Sequence, residues 1–359
     1  MIRFGYWTPI FGGWLRNVED EQTPATFEHL KKIAQSAELI GFDLTLIPEL
    51  NLNDIKGQDA PSFDAWELAA AIAAVTKTQE IMLAVRPGYH LPALTAKKSA
   101  TIDEISGGRL TLNVVSAWWA EEARQYGGIF SEHDDRYRRS EEFVEVLRGL
   151  WSQNPFSYAG EYYELEGTHL EPKPRVVPRL YAGGESAAGR ASIASFADAY
   201  VTHGGTPDEL RTKIGDMTTR REATGLPPFA GFGMAAFAIV RDTAEEAQQE
   251  LERITDVKHG AAYESYQDFI SKSQLDTAVD LKDYSVSNRG LRPNLVGTPE
   301  VVAERIMEFS RAGVGILLLQ FSPHLAEMER FARDVIPLVR ELESRERAAA
   351  GTVSSISTP

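Results

Sequence analysis

The chain has 359 residues, of which 43% are hydrophobic and 25% are charged. This composition is typical of a globular protein rather than a disordered one, and no run of about 18 apolar residues occurs that would cross a bilayer. Basic and acidic residues number 37 and 52, so the net charge is 37 − 52 = −15, which argues against non-specific nucleic-acid binding. The absence of cysteine excludes disulfides, thiolate metal ligands and a cysteine nucleophile.

Met1 leads directly into a strand-like segment instead of a basic and then apolar signal sequence. We therefore expect a soluble, cytoplasmic protein that does not act at a membrane.

Short apolar, β-branched runs alternate with segments of helical periodicity along nearly the whole chain, which predicts alternating strands and helices. The predicted strands span 2–8, 43–48, 81–86, 109–116, 179–184, 198–204, 231–241 and 314–321. The helices that follow them are predicted near 26–40, 64–76, 92–106, 131–151, 187–196, 207–224, 243–254 and 324–343. Eight such units without a break in composition predict an α/β protein with a (β/α)₈ TIM barrel, and a doubly wound sheet is the alternative.

Two segments depart from this alternation. Residues 154–174 are predicted as a hairpin, and about 256–296 are polar and helical and then rich in glycine and proline. They are predicted as insertions after the fourth helix and before the eighth strand, where insertions shape active sites or lids. Residues 1–345 are therefore predicted to form one domain, and 346–359 a flexible tail.

The functional residues of a TIM barrel lie where its strands end, and the predicted ends hold few titratable groups. No Gly-x-Ser-x-Gly motif occurs, and His90, His133, His203 and His324 lack the spacing of a zinc-binding helix. We therefore expect no metal, although a site built from scattered His and Asp residues stays open. No Gly-x-Gly-x-x-Gly follows a strand, so a Rossmann nicotinamide site has no support.

Arginines crowd the N-terminal turn of the helix predicted at 131–151, where the helix dipole disfavours cations. A later stretch, "YAGGESAAG", ends a strand in two glycines and begins a helix with Ser186 as its N-cap, which is a common site for phosphate. In a sequentially wound barrel the two helices are neighbours. We therefore predict that Arg136, Tyr137 and Ser186 bind the phosphate monoester of a cofactor.

The alternative for this region is purely structural. Ser186 would then be an ordinary cap, and the arginines would lie on a solvated helix face. We favour this alternative for Arg138, with ion pairs to Glu141 and Glu142.

Two adjacent tryptophans follow the fourth predicted strand in "NVVSAWW". Trp119 is expected in the core or as the roof of a loop. Trp118, with Asn113 and Glu122 near it in sequence, is predicted to form one wall of a flat aromatic pocket, in which the amide and the carboxylate orient a ligand.

Taken together, these motifs resemble the bacterial luciferase-like flavin monooxygenases. The resemblance covers most of the chain and rests on six stretches in the same order. They are "GFDLTLIP", "ATIDEISGGRLTLNVVSAWW", "HDDRYRRSEEFVEVLRGLW", "LEPKP", "YAGGESAAG" and "LVGTPEVVAERI". Within the family the chain is most similar to two-component, reduced-flavin-dependent enzymes that act on dimethyl sulfone, alkanesulfonates and pyrimidines.

This resemblance implies reduced FMN as a diffusible substrate, O₂ as co-substrate and a separate NAD(P)H-dependent flavin reductase as partner. Because flavin and O₂ supply the reactivity, few protein acids or bases are needed. Carried over position by position, the implied FMN contacts are Glu49, Leu50, Asn113, Glu122, Arg136, Tyr137 and Ser186. Trp118 and Arg292 are predicted to act at the reacting end, Arg292 by the spacing of the sulfone enzymes, while Arg289 lies closer to the sulfonate pattern.

The family's sulfonate enzymes carry an Arg-x-His pair on the seventh strand and a tyrosine after the eighth. This sequence has Ala235, Phe237 and Ser322 at those positions. The expected reaction is therefore oxidative cleavage of a C–S bond, in a neutral sulfone before a sulfonate. Three alternatives stay open. They are oxidative cleavage of a nitrogen heterocycle (a pyrimidine or the flavin ring itself), deazaflavin-dependent hydride transfer, and non-catalytic flavin binding. A homo-oligomer, either a dimer or a tetramer, is also expected.

Overall fold

The computed structural model describes residues 1–18, 21–116, 119–130, 132–256, 263, 267 and 280–356. In this part of the chain no helix is both long and apolar enough to cross a membrane.

The strands are β1 (Arg3–Trp7), β2 (Leu44–Ile47), β3 (Glu80–Val85), β4 (Leu110–Val114), β5 (Phe156–Ala159), β6 (Glu164–Thr168), β7 (Leu180–Ala182), β8 (Ala199–Thr202), β9 (Phe232–Val240), β10 (Leu295–Gly297) and β11 (Ile316–Gln320). Eight of them pair in parallel in the order β1, β2, β3, β4, β7, β8, β9, β11, and β11 pairs back with β1. The closed barrel confirms the predicted (β/α)₈ fold, and the doubly wound alternative is wrong. The antiparallel pair β5 and β6 confirms the hairpin predicted at 154–174.

The helices are α1 (Phe27–Leu39), α2 (Ala65–Val75), α3 (Pro92–Ser106), α4 (Ala120–Tyr126), α5 (His133–Ser152), α6 (Ala187–Phe196), α7 (Pro207–Ala223), α8 (Ala244–Thr255), α9 (Leu281–Tyr284), α10 (Pro299–Arg311), α11 (His324–Asp334) and α12 (Ile336–Ile356). Several begin at side-chain caps, as at Thr206 and Thr243, where a glutamate three residues later completes a capping box.

The single helix predicted at 324–343 is wrong, because the structure has two helices that meet at Val335. Pro337 cannot donate a backbone hydrogen bond to the preceding turn, so it ends one helix and is accommodated in the first turn of the next. The second helix, α12, continues as far as Ile356. The flexibility of the tail 346–359 stays a prediction.

The barrel interior is filled by apolar side chains from alternate positions of the strands. These are Leu44, Leu46, Met82, Tyr181, Ala199, Val201, Ile316 and Leu318, with Trp7 packed against them. Since side chains alternate along a strand, Gln320 also faces inward, two residues beyond Leu318. Asn113 does so as well, because it lies in register with Tyr181. The filled interior leaves the carboxyl ends of the strands as the place for a ligand.

A buried histidine at the start of α11 makes stability depend on pH. His324 is fully buried and its Nδ1 accepts a hydrogen bond from Trp14 Nε1 at 3.2 Å. Burial lowers the pKa of His324 to about 3, whereas the unfolded chain takes up this proton near pH 6.5. The unfolded state therefore binds more protons than the folded state below about pH 6.5, and the free energy of unfolding falls as the pH falls.

We expect this group to remove about 2 kcal/mol of stability between pH 7 and pH 5. The variant His324→Gln, which keeps an acceptor for the Trp14 N–H, should lose correspondingly less. Urea unfolding at both pH values measures the difference. Equal losses in the variant and the parent protein would contradict the expectation.

Candidate active site

Tyr137 and Ser186 meet at the N-terminus of α6. Ser186 is the N-cap of this helix, and its Oγ accepts a hydrogen bond from the backbone N–H of Gly189 at 3.1 Å. The hydroxyl of Tyr137, on α5, lies 3.2 Å from the same Oγ. A Cβ at Gly189 would lie 2.6 Å from the tyrosine hydroxyl, so only glycine permits this approach. Two hydroxyls at the positive end of a helix form an arrangement that can bind phosphate.

Arg136 precedes Tyr137 in the same turn of α5. Its guanidinium lies over the ring of Phe130, 4.6 Å from the centroid. Burial lowers the pKa of Arg136, and nearby Tyr137 and Glu132 offset only part of that effect. A bound dianion would favour the charged form of this half-buried guanidinium.

The partners predicted for Arg138 are wrong. Arg138 pairs with Asp135 and Glu161, not with Glu141 and Glu142. The reason is the β5–β6 hairpin, whose backbone N–H groups at Glu161 and Tyr162 donate to the carboxylate of Glu142 at 2.7 and 2.9 Å. The hairpin therefore binds the carboxylate of Glu142, and it supplies Glu161 as a different acidic partner for Arg138.

Two predicted cofactor residues, Glu49 and Glu122, share one arginine. The guanidinium of Arg86 donates to both carboxylate oxygens of Glu122, through Nη1 and, at 2.9 Å, through Nη2. The Nε of Arg86 lies 3.5 Å from Glu49 Oε2, and its backbone N–H donates to that oxygen at 2.8 Å. The side chains of Glu49, Arg86 and Glu122 are 8%, 2% and 0% exposed. We call these three residues the Arg86 triad.

The carboxylates of the triad also accept other donors. Trp66 Nε1 donates a hydrogen bond to Glu49 Oε1 at 3.2 Å, and Nε2 of His90 is hydrogen-bonded to the same oxygen. The backbone N–H of Asn51 and, at 3.3 Å, the hydroxyl of Tyr89 donate to Glu122. The triad thus fixes the loops after β2 and β3 relative to α4. Sequence reasoning did not assign this role to Arg86, although a charged residue ending the apolar run "IMLAVR" was a signal for it.

Leu50 follows β2 and Asn113 lies near the end of β4, and β3 separates these two strands. Leu50 is half-buried against the core, and its carbonyl oxygen accepts a hydrogen bond from Ser62 Oγ at 2.7 Å. Asn113 is 5% exposed, and its Oδ1 has no hydrogen-bond partner among the described residues. A buried amide oxygen without a partner is uncommon, and it fits a ligand that brings a donor.

Of the two residues predicted at the reacting end, the structure describes only Arg292. Trp118 lies outside the described residues, and Trp119 is the half-buried N-cap of α4. Arg292 is held by two carboxylates, with Nη2 at 2.5 Å from Glu209 and Nη1 at 3.4 Å from Asp283. The structure therefore shows no contact between Arg292 and the other predicted site residues among those it describes.

Arg289, the other arginine of this loop, is 7% exposed and pairs with Glu185. Lys213 Nζ lies 2.5 Å from the same carboxylate. Burial alone would raise the pKa of Glu185, but His203, which is protonated only at low pH, and the cations Lys213 and Arg289 hold that pKa well below its ordinary value. Two permanent cations thus share one anion next to the N-cap of α6.

The positions that carry cations and a tyrosine in the sulfonate enzymes form an apolar or neutral wall here. Ala235 and Phe237 on β9 are each 2% exposed, and Ser322 after β11 is 5% exposed. The backbone N–H of Phe237 donates to the carbonyl of Gly290 at 2.7 Å, so the loop that carries Arg289 and Arg292 packs directly on this wall. In the described part of the chain, no cluster of three His, Asp or Glu side chains could hold a metal ion.

The closed barrel, with two hydroxyls at a helix N-terminus near the ends of its strands, defines a TIM-barrel protein whose geometry is suited to a phosphate group. Residues 2–315 match the family of luciferase-like monooxygenases, and the chain belongs to that family, as the sequence motifs predicted. It is similar to an FMNH₂-dependent dimethylsulfone monooxygenase of Pseudomonas putida. The two sequences are 36% identical over an alignment of 365 positions, which covers 97% of this chain and 98% of that protein. An enzyme with the same description from Pseudomonas fluorescens Pf0-1 is 34% identical over 361 residues, with 97% of each chain covered.

Among solved structures, an EDTA monooxygenase from Chelativorans sp. BNC1 has the same fold. The TM-score is 0.79 at 20% identity, and the likeness covers 95% of this chain and 93% of that one. This likeness concerns the barrel and its connections, not the substrate.

Proposed function

We propose that the protein is a monooxygenase that uses reduced FMN and O₂ to cleave a C–S bond in a small, neutral organosulfur compound, with a sulfone as first choice. A separate NAD(P)H-dependent reductase supplies the reduced flavin. The observation that carries the proposal is the pair of hydroxyls of Tyr137 and Ser186, 3.2 Å apart at the N-terminus of α6, with Arg136 preceding Tyr137 in the sequence. The descriptions of the two Pseudomonas relatives support the same flavin and the same class of substrate.

The described residues fit FMN. Its phosphate would take charge-assisted hydrogen bonds from Arg136 and from the hydroxyls of Tyr137 and Ser186. The unbonded Oδ1 of Asn113 would accept a hydrogen bond from the ring system, which carries an N–H. Glu49 and Leu50, which follow β2, and Glu122, which follows β4, stay proposed flavin contacts. Arg86 holds both carboxylates in place.

When bound, reduced FMN supplies two electrons for the reduction of O₂, so that one oxygen atom enters the substrate and the other leaves as water. The protein binds and orients the reactants and excludes water from them. Ala235 and Phe237 close the β9 side of the mouth without a polar group. His203, whose pKa burial lowers to about 4, stays neutral at pH 7 and adds no charge there.

Trp118 and Arg292 stay proposed residues of the reacting end. Arg292 would first have to exchange Glu209 and Asp283 for the substrate, since both carboxylates now hold its guanidinium. We also propose that the protein works in the cytoplasm and as a homo-oligomer.

The phosphate site is tested by Arg136→Ala. Removing a charge-assisted contact costs roughly 1.5–3 kcal/mol, so FMN affinity should fall about 10- to 100-fold. Riboflavin, which lacks the phosphate, should bind the variant and the parent protein equally. Anaerobic titration of the flavin absorbance gives both affinities.

Arg138→Ala is the matched control, because Arg138 lies two residues further along the helix and is 54% exposed. Its removal should leave FMN affinity unchanged. Equal FMN binding by folded Arg136→Ala and parent protein would exclude the assigned phosphate site.

A further inference from the structure

Two adjacent barrel strands, β1 and β11, end in side chains whose polar atoms are unsatisfied. Gln320 is 0% exposed, and its Oε1 has no hydrogen-bond partner among the described residues. The buried Nε1 of Trp7 likewise has no partner there. The two strands pair Tyr6 with Leu319, so Trp7 and Gln320 occupy the next position along the same pairing.

Both side chains face the mouth of the barrel. Trp7 packs on the interior cluster that contains Leu46 and Leu318. Gln320 follows Leu318 by two residues and therefore points to the same side of the strand. Neither residue is among those assigned to the flavin, and Asn113 lies on β4, on another part of the barrel wall.

The surroundings hold both side chains in place. Nε2 of Gln320 donates to Ser287 Oγ at 2.7 Å, and the ring of Trp7 meets Trp14 edge to face with centroids 6.2 Å apart. An unsatisfied buried polar group costs about 1–3 kcal/mol. A pair of them, fixed at the ends of adjacent strands, is therefore well suited to a ligand that satisfies both.

We propose that Trp7 and Gln320 form the subsite for the two oxygen atoms of a sulfone, an inference that rests on the proposed function. The indole N–H of Trp7 donates to one oxygen. The amide of Gln320 donates to the other after rotation about its last bond, because the hydroxyl of Ser287 can then donate to the amide oxygen instead of accepting from its nitrogen.

Two neutral donors suit a neutral sulfone. They replace the hydrogen bonds that the sulfonyl oxygens make with water, and they bury no charge. A thioether of the same shape offers no strong acceptor, so it would leave both donors unsatisfied, and the subsite selects against it.

The test measures binding of dimethyl sulfone to the protein with reduced FMN under strict anaerobiosis, so that no turnover occurs. Ligand-observed proton NMR gives the affinity. We expect Trp7→Phe and Gln320→Leu each to weaken sulfone binding about 10-fold, as the loss of one hydrogen bond predicts. Dimethyl sulfide should bind these variants and the parent protein equally, and FMN affinity should not change.

Trp151→Phe serves as the control, because its Nε1 donates to the carbonyl of Ala96 on the outer layer of helices, and sulfone affinity should be unchanged. Unaltered sulfone affinity in both test variants would overturn the subsite. An equal loss of affinity for sulfone and for sulfide would also overturn it, because it would show that the two side chains only pack against the ligand. A parent protein that binds reduced FMN but no sulfone would instead overturn the proposed substrate class.

Discussion

Neutral sulfones should be oxidised at least about 100-fold more efficiently than alkanesulfonates of similar size, a gap in kcat/KM of about 2.7 kcal/mol. A buried sulfonate needs several donors or a cation to replace its hydration, and an unpaired ion in an apolar site costs several kcal/mol. The wall built from Ala235, Phe237 and Ser322 offers no cation. Assays of dimethyl sulfone and methanesulfonate with the same reductase measure the ratio.

Comparable efficiency on methanesulfonate would contradict this expectation. The first cation to examine would then be Arg289, since it shares Glu185 with Lys213 and this cluster carries more positive than negative charge. If Arg289 served the anion, Arg289→Met would remove the sulfonate activity and spare the sulfone activity.

Arg86→Met should reduce the free energy of unfolding by about 3–5 kcal/mol, because it leaves the buried carboxylates of Glu49 and Glu122 without their cation. The bonds from Trp66, His90 and Asn51 cannot replace a charge. Urea unfolding at pH 7 measures the loss, provided that the variant still folds.

Arg124→Met is the matched control. Arg124 lies in the same helix as Glu122 and pairs with Glu121, but the two side chains are 71% and 40% exposed. Such a surface pair contributes about 0–1 kcal/mol. A loss in Arg86→Met no greater than that in the control would show that the triad does not hold the loops together.

The barrel could be predicted because its strands are buried on both faces. Such strands read as continuous apolar runs, and "VGILLLQF" and "GFGMAAFAIV" contain almost no other kind of residue. The meeting of Tyr137 and Ser186, 49 residues apart, also followed from the sequence, since sequential winding makes α5 and α6 neighbours.

The polar contacts between loops could not be predicted in the same way. The partners of Arg86 are 36 and 37 residues away in opposite directions, and no periodicity links a loop residue to a distant carboxylate. The prediction of the partners of Arg138 was wrong for the same reason. Helical spacing describes only neighbours within the helix, whereas Glu161 lies on the hairpin. Helix α10 begins at Pro299, inside the stretch "LVGTPEVVAERI", which we treat as a family motif and not as a helix.

Loss of dimethyl sulfone under turnover conditions tests the proposed activity most directly. With O₂, FMN, a nicotinamide and an added flavin reductase, NMR should show sulfone consumption that depends on this protein. Without the reductase we expect none, because no dinucleotide-binding motif is present to bind the nicotinamide. Two results would contradict the proposed two-component monooxygenase. In the first, the protein binds reduced FMN but leaves every sulfone intact while the reductase turns over. In the second, it consumes sulfone with nicotinamide and FMN alone.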